Sequence, residues 1–315
     1  MDKARKAIFP LYTTISQFNL QCSNSLKLFR SWIRPIILYG TEVWSHFSFH
    51  QIKAVIEKRT TLFELATTSE VGLVQHKFLK FILGVKSNCS NTATLGELGE
   101  FPLMLNGILT LLKFWHRTAN LPNKVFAKQA LKVLSTEGIQ YEWLATVKCV
   151  LSQLNMEEHF YNHDTCLTKL KAIFEKQWHT RLTTTSKLRF YKLFKTSFSR
   201  EKYLDFIPSF PLRKCLTKFR CRLEVEVGRH NNIDANERWC RVCKVKGETE
   251  EHFLHFCPGY NTLRARLFGN LGSFLQWRDL LKCEKSPSTF KLIKFINKGL
   301  GIRNNLIDNN ISPNN

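Results

Sequence analysis

The chain has 315 residues, 43% of them hydrophobic, and 47 Lys+Arg against 25 Asp+Glu give it a net charge of +22. That length and apolar content are enough for a buried core and for more than one domain. No run of eighteen apolar residues is present, so we expect no spanning helix and no membrane partner. The ten cysteines follow no secretory signal, which indicates reduced thiols in the nucleus and/or cytoplasm of a protein that is not secreted.

The positive charge is unevenly distributed along the chain. Residues 169–222 hold fifteen Lys+Arg and only three acidic residues, a local net charge of +12. A surface that only needs to be soluble does not require one sign of charge. The concentration of basic residues therefore indicates a polyanion, and nucleic acid first of all, as the partner.

The spacing of apolar residues in the first half of the chain predicts helices. Residues 11–65 have apolar positions at helical spacing, interrupted by Pro35 and Gly40. The stripe in HKFLKFILGV predicts a helix that ends at Gly84 in the left-handed conformation. Thr94 and Glu97 have the spacing of a capping box, which predicts a short helix opening there and stopping near Pro102. Residues 103–119 then predict a strongly apolar helix of the core.

The second half continues the helical pattern. Amphipathic helices are predicted over 124–156 and 159–182, and two closing helices over 260–282 and 287–299. Clean alternation of apolar and polar residues at 220–228 predicts the one strand. The Asn-rich tail from 303 onward is expected to be disordered. The predicted fold class is mainly α.

A cluster of cysteine and histidine lies in CRVCKVKGETEEHFLHFC, residues 240–257. Cys240, Cys243, His252 and Cys257 supply three thiolates and one imidazole, which is a tetrahedral ligand set suited to Zn²⁺. His255 competes with His252 for the fourth position. A redox CxxC pair usually follows a strand in an α/β pattern, which this chain lacks. Four protein ligands close a metal site, so we expect one structural Zn²⁺ per chain and no hydrolysis at the metal.

Basic and aromatic residues surround this cluster and fill the basic segment before it. Basic groups can bind phosphates, and exposed rings can stack on unpaired bases, whereas Phe253 and Phe256 are expected to pack beneath the metal. The candidate nucleic-acid-binding residues are Arg181, Lys187, Arg189, Lys192, Arg213, Lys214, Arg220, Arg222, Arg229, Arg238, Trp239, Arg241 and Lys244.

Four stretches in a fixed order carry a family resemblance: RSWIRPIILYGTEVW, QHKFLKFILGVKSNCSNTATLGELGEFPL, FWHR, and LEVEVGRHNNIDANERWCRVCKVKGETEEHFLHFCPGYNTLRARL. Together they resemble the C-terminal region of the reverse transcriptase of non-LTR (LINE-type) retrotransposons, over most of residues 3–300. The resemblance implies a helical thumb-like bundle followed by a small zinc-stabilised CCHC knuckle and C-terminal helices. It places the family's metal ligands on Cys240, Cys243, His252 and Cys257, and so favours His252 over His255.

The resemblance also implies a division of the chain and a function. The expected segments are a thumb-like helical region (1–122), a basic helical linker (123–227), the knuckle (228–270), and C-terminal helices with a disordered tail (271–315). The implied function is binding of an RNA template, a nicked target DNA, or both, by a piece of the reverse transcriptase that lacks the palm and the endonuclease.

The sequence argues against an enzyme. Polymerisation in this family needs an adjacent pair of Asp residues to hold two Mg²⁺ ions, and no two of the six Asp residues are neighbours. Cys166 with His163 or His159 is the only local nucleophile constellation, and a polar turn explains it better. The alternative function is a host protein-interaction module on the same helical fold, which an exposed apolar stripe at 103–114 would support.

Overall fold

The computed structural model describes residues 2–44, 48–136, 142–156, 162–221, 239–245, 247–269 and 274–311. The protein is mainly helical, as predicted, and no β-strand forms within these ranges. Among the same residues, no single helix is both long enough and apolar enough to cross a bilayer. The α-helices are α1 (Asp2–Gln17), α2 (Cys22–Leu28), α3 (Arg34–Leu38), α4 (Thr41–Trp44), α5 (Phe49–Ile56), α6 (Leu62–Thr68), α7 (Glu70–Leu83), α8 (Asn91–Leu98), α9 (Leu103–Ala119), α10 (Phe126–Thr136), α11 (Glu142–Gln153), α12 (His163–Thr184), α13 (Tyr203–Phe206), α14 (Phe210–Arg220), α15 (Asn261–Phe268), α16 (Phe274–Leu280) and α17 (Pro287–Ile311).

The helices form two compact units, each assembled from separate parts of the chain. The first unit comprises Met1–Thr14, Leu26–Phe78 and Glu100–Arg181, and the second comprises Ile15–Ser25, Leu79–Gly99 and Leu182–Asn315. The chain therefore passes from one unit to the other within α1, α2, α7 and α12, and once between α8 and α9. The predicted division into four consecutive segments stays a prediction.

In the first unit, α9 is the central helix. It packs against α3, α4, α6, α10 and α11, and α11 packs in turn against α5. Leu105, Ile108, Leu112 and Trp115 are buried along α9. The apolar stripe at 103–114 is thus mostly buried in the core. It does not provide the exposed surface that would have supported a protein-interaction module.

In the second unit, α17 is the central helix. It packs against α14, α15 and α16. Phe219, Phe253, Trp277 and Phe295 are buried in an aromatic core around it, with ring centroids 5.3 to 5.6 Å apart in the pairs Phe219–Phe253, Phe253–Phe295 and Trp277–Phe295. One of these rings, Phe253, belongs to the Cys/His stretch, so that stretch is anchored in a larger core.

Several predicted helix boundaries are confirmed. α7 ends at Leu83, and Gly84 follows with φ +67°, a conformation that glycine adopts without a side-chain clash. The predicted apolar helix coincides with α9. The predicted helix over 124–156 corresponds to α10 and α11, and residues 137–141 lie outside the described ranges. Most of the predicted strand at 220–228 lies outside them as well.

Two local predictions are wrong. Thr94 and Glu97 do not open a helix, because α8 already begins at Asn91 and both residues are buried within it. The Thr94 hydroxyl donates to the carbonyl of Ser90 at 2.9 Å, and Glu97 instead binds a distant arginine. The Asn-rich tail is helical as far as Ile311, since α17 continues through it. Arg303 is buried there in an ion pair with Glu248, which binds this part of the tail to the protein.

Candidate metal centre

A tight turn presents the first two cysteines of the cluster. The amide of Lys244 donates to the carbonyl of Cys240 at 2.8 Å, and Lys244 adopts the left-handed conformation with φ 58°. A single antiparallel bridge between Trp239 and Gly247 closes the loop behind the turn. Two intervening residues in this turn direct Cys240 and Cys243 to one point, as the spacing predicted.

The other two ligands lie at the two ends of a short π-helical turn, His252–Phe256. The amide of His252 donates to the hydroxyl of Thr249 at 3.0 Å, which fixes the start of the turn. The amide of Cys257 donates to the carbonyl of His252 at 2.7 Å, which brings the last cysteine back over the histidine. The extra residue of a π-turn thus explains why four intervening residues suit this pair of ligands.

The four side chains converge with the dimensions of a tetrahedral site. Their ligand atoms all lie within 4.8 Å of one another. The sulfurs of Cys240 and Cys257 are 3.6 Å apart, and the sulfur of Cys243 is 3.3 Å from Nε2 of His252. A tetrahedral zinc ion requires about 3.8 Å between sulfurs and about 3.6 Å between sulfur and nitrogen. A disulfide would need a sulfur separation of about 2 Å, so the cluster fits a metal ion better than a redox bond.

Burial of the thiols reinforces this interpretation. Cys240, His252 and Cys257 are buried, and Cys243 is half-buried. Removal from water raises the pKa of the Cys257 thiol to about 12, and the neighbouring Cys240 contributes in the same direction. Burial also raises the pKa of Cys240. Thiolates packed this closely repel one another, and a bound dication removes that repulsion.

His255, the competing histidine, does not join the cluster. Its ring stacks edge-on against Phe256, with centroids 4.7 Å apart. Phe256 is 54% exposed, so the prediction that it packs beneath the metal is wrong. Phe253 is 2% exposed and does pack inward, as predicted. The structure brings Cys240, Cys243, His252 and Cys257 together, and these four could hold one metal ion.

The sequence did not reveal what fixes this segment to the second unit. Glu248 and Arg303 form a buried pair in which Nε of Arg303 donates to Oε1 of Glu248 at 2.7 Å. The ring of Phe253 lies so close to Gly299 that a Cβ there would come within 2.7 Å of it. Both contacts join residues at least 46 positions apart in sequence, and no local pattern signals such a pairing.

A second glycine was also missed, and it lies beside the metal ligands. A Cβ on Gly259 would lie 2.4 Å from Cγ1 of Val242, which sits between the first two cysteines, and 3.7 Å from the sulfur of Cys257. The Pro-Gly pair after Cys257 signals a turn in the sequence, but it does not signal this close approach.

The outward side of the metal segment, which we call the knuckle face, consists of Trp239, Arg241, Lys244 and Phe256. Trp239 is 58% exposed, Lys244 and Phe256 are exposed, and Arg241 is half-buried. Exposed rings and basic residues therefore lie on one short segment that a bound metal would hold rigid. Three of the four had been predicted as nucleic-acid-binding residues, and Phe256 had not.

The remaining candidate residues differ in their exposure. Lys187, Arg189 and Lys192 are exposed, and Lys214 is half-buried. Arg181 is half-buried and forms an ion pair with Glu64 within the first unit. Arg222, Arg229 and Arg238 lie outside the described residues.

Arg220 and Arg213 do not form part of a nucleic-acid surface, and their prediction is corrected. Arg220 is fully buried, where its Nη2 donates to Glu97 at 2.9 Å and lies 2.7 Å from Glu201. Arg213 is 2% exposed and donates to the carbonyls of Ile207 and Pro208 at 2.6 and 2.9 Å. A guanidinium enclosed in this way stabilises the second unit and cannot reach a phosphate.

Part of the basic segment's charge is therefore neutralised internally. Besides Arg220, the buried Lys195 pairs with Glu201 at 2.5 Å. Tyr203 donates to Glu97 at 2.5 Å and completes the network, and burial beside that carboxylate raises the pKa of Tyr203. The local charge of +12 overstates what the surface of this segment offers to a polyanion.

No family model, no characterised protein and no solved structure matches this chain.

Proposed function

We propose that this protein binds nucleic acid, as RNA or nicked DNA, through a knuckle at 239–260 that one structural Zn²⁺ stabilises. The basic surface of the second unit adds phosphate contacts. This is the role implied by the resemblance to the C-terminal region of non-LTR retrotransposon reverse transcriptases. The proposal assigns binding and no catalytic step to these residues.

The knuckle face is the observation that carries the proposal. Both rings are more than half exposed on one short segment that also carries two basic residues, and these are the kinds of side chain that bind unpaired nucleic acid. Base stacking on Trp239 and Phe256, with phosphates on Arg241 and Lys244, uses all four residues. Zinc suits the ligand set because three thiolates and one imidazole are its preferred donors in structural sites.

Two substitutions on the knuckle face test the proposal. Trp239→Ala removes a stacking surface, and we expect the affinity for single-stranded RNA or nicked DNA to fall about 10-fold. Lys244→Gly removes a cation and also relieves the left-handed backbone at φ 58°. It should therefore weaken nucleic-acid binding while the bound zinc stays unchanged.

The matched control is Trp32→Ala, because Trp32 is a similarly exposed tryptophan (55%) in the first unit. Affinities measured by fluorescence anisotropy, with zinc content measured on the same samples, separate the effects. Equal affinities for the wild type, Trp239→Ala and Trp32→Ala would contradict the knuckle face as the binding surface. Absence of any binding by the wild type would contradict the proposed function itself.

A further inference from the structure

A cavity of about 490 Å³ lies within the second unit, away from the metal ligands in sequence. The last turns of α1 and α7 and one side of α14 form its walls. From α14 it is lined by Phe210, Lys214 and Lys218, which are spaced four residues apart and so lie on one helix face. Its volume falls within the range of sites that hold small organic molecules.

All the charged side chains that line the cavity are positive. Lys86, from the segment after α7, adds a third ammonium group to those of Lys214 and Lys218. No lining residue in the described part of the chain is acidic. Three amines around one cavity favour an anionic ligand, and phosphate is the anion that lysine commonly binds in proteins.

The other walls are apolar and partly aromatic. Phe81 at the end of α7 and Phe210 at the start of α14 both line the cavity, together with aliphatic side chains. An inorganic anion would leave these walls uncovered. A ligand that joins a phosphate to a flat ring would cover both kinds of surface, because rings stack on phenylalanine and phosphate binds the amines.

The side chain of Lys214 packs against the backbone of Gly84 at the edge of the cavity. Gly84 has φ +67°, and a Cβ there would lie 2.8 Å from Cγ of Lys214. The methylene stem of Lys214 therefore lies against the bare backbone of Gly84. Asn19 (φ 53°), two residues after the end of α1, also lines the cavity and has a side chain that can donate and accept hydrogen bonds.

We propose that this cavity binds one nucleotide, with its phosphate on Lys86, Lys214 and Lys218 and its base against Phe81 and Phe210. If the nucleotide belongs to a single-stranded nucleic acid, it is an unpaired nucleotide of the bound strand, and this case rests on the proposed function. A free nucleoside monophosphate has the same chemistry, so the experiment includes both sources.

The test uses the full zinc-loaded chain, single-stranded RNA containing 5-iodouridine, and free uridine monophosphate. After irradiation, mass spectrometry of the unsubstituted protein should find cross-links within 81–86 or 210–218. The double variant Lys214→Glu/Lys218→Glu should lose about 10-fold in affinity for the RNA or for the free nucleotide. Lys294→Glu/Lys298→Glu is the charge-matched control, since both lysines are exposed on α17 and neither lines the cavity. Phe210→Ala should reduce the cross-linking yield while circular dichroism stays unchanged.

The outcomes separate this inference from the proposed function. RNA binding that persists in the double variant, with no cross-link in either segment, would overturn the cavity site and leave the knuckle proposal standing. Binding of the free nucleotide alone, lost in the double variant, would support the cavity and contradict strand binding. Loss of RNA affinity in the double variant together with the expected cross-links supports both.

Discussion

At the scale of single residues, Gly259 and Val242 lie in close contact beside the candidate metal ligands without being ligands themselves. Val242 lies between Cys240 and Cys243, and Gly259 follows Cys257 by two residues. An added methyl group at Gly259 would lie 2.4 Å from Cγ1 of Val242, so either the Val242 side chain or one of the two turns would have to shift. Metal ligands tolerate displacements of only about 0.2 Å from their ideal distances.

We therefore predict that Gly259→Ala weakens zinc binding about 10-fold or more, although all four ligands remain. The double variant Val242→Ala/Gly259→Ala removes the obstructing methyl groups and should restore most of the affinity. Competition with a chromophoric chelator measures both variants. An unchanged affinity in Gly259→Ala would show that the two turns adjust freely.

The spacing of the sequence predicted the three cysteines and left two histidines in competition, because both halves of the cluster are local turns; the resemblance then favoured His252. The same reasoning failed for Arg213 and Arg220. Their basic side chains suggested a surface, but the partner of Arg220 is Glu97, 123 positions earlier in the chain. Local sequence carries no information about such a distant carboxylate, so burial of these arginines could not be predicted.

At the scale of secondary-structure elements, the metal segment contains little regular structure of its own. Within its described residues it has one β-bridge, a π-turn and a short 3₁₀ turn, and its four ligands come from both ends of it. We therefore expect a bound metal to contribute to the stability of this segment, beside its contacts with α17.

Removal of the metal should therefore unfold this segment selectively. The purified protein should contain about one zinc per chain, and Cys243→Ser should lower that content. After chelation, we expect amide hydrogen exchange to accelerate across 239–260, whereas the amides of α9 in the first unit keep their protection. Cys149→Ser, at a half-buried cysteine of the first unit, serves as the control. A zinc-free protein with unchanged exchange in 239–260 would contradict a structural metal.

Helix ends were predictable where a local signal marks them, as Gly84 does for α7. The start of α8 was mispredicted because Thr94 and Glu97 have capping-box spacing but are buried inside the helix. There Glu97 accepts hydrogen bonds from Arg220 and Tyr203. The end of α17 was mispredicted because its composition suggests disorder, whereas the pairing of Arg303 with Glu248 depends on tertiary structure.

At the scale of the whole molecule, the net charge of +22 is only partly available to a partner. Glu97 and Glu201 neutralise Lys195 and Arg220 in the interior of the second unit. Lys187, Arg189 and Lys192 stay at the surface of the same unit. Composition gives the sign of this chain's net charge, but only the structure separates the internal cations from the external ones.

This separation predicts the salt dependence of binding. Affinity for single-stranded RNA should fall linearly on a logarithmic salt scale, with a slope of about 0.7 for each phosphate contact. Lys187→Gln/Lys192→Gln should reduce the slope by about 1.4 if both residues contact phosphates. Lys291→Gln, at an exposed position of α17 outside the candidate set, should leave the slope unchanged. A slope near zero for the wild type would exclude phosphate contacts as the source of binding.

The sequence could not predict which stretches form each unit, since each unit is built from three separate stretches of the chain. Helical periodicity identifies which face of a helix is buried, and it does not identify the helix that covers it. The central roles of α9 and α17 emerge only from the packing of distant stretches.

The contacts of α17 with the metal segment have a consequence for biosynthesis. Gly299, which accommodates Phe253, and Arg303, which pairs with Glu248, are one helical turn apart near the end of the chain. The ribosome produces both of them after all four metal ligands. During translation the nascent chain can therefore gather its cysteines and histidine before the helix that secures them exists. The final packing of the metal segment depends on residues made after its ligands, so a premature stop before Gly299 would leave the ligands intact and the contacts that hold them missing.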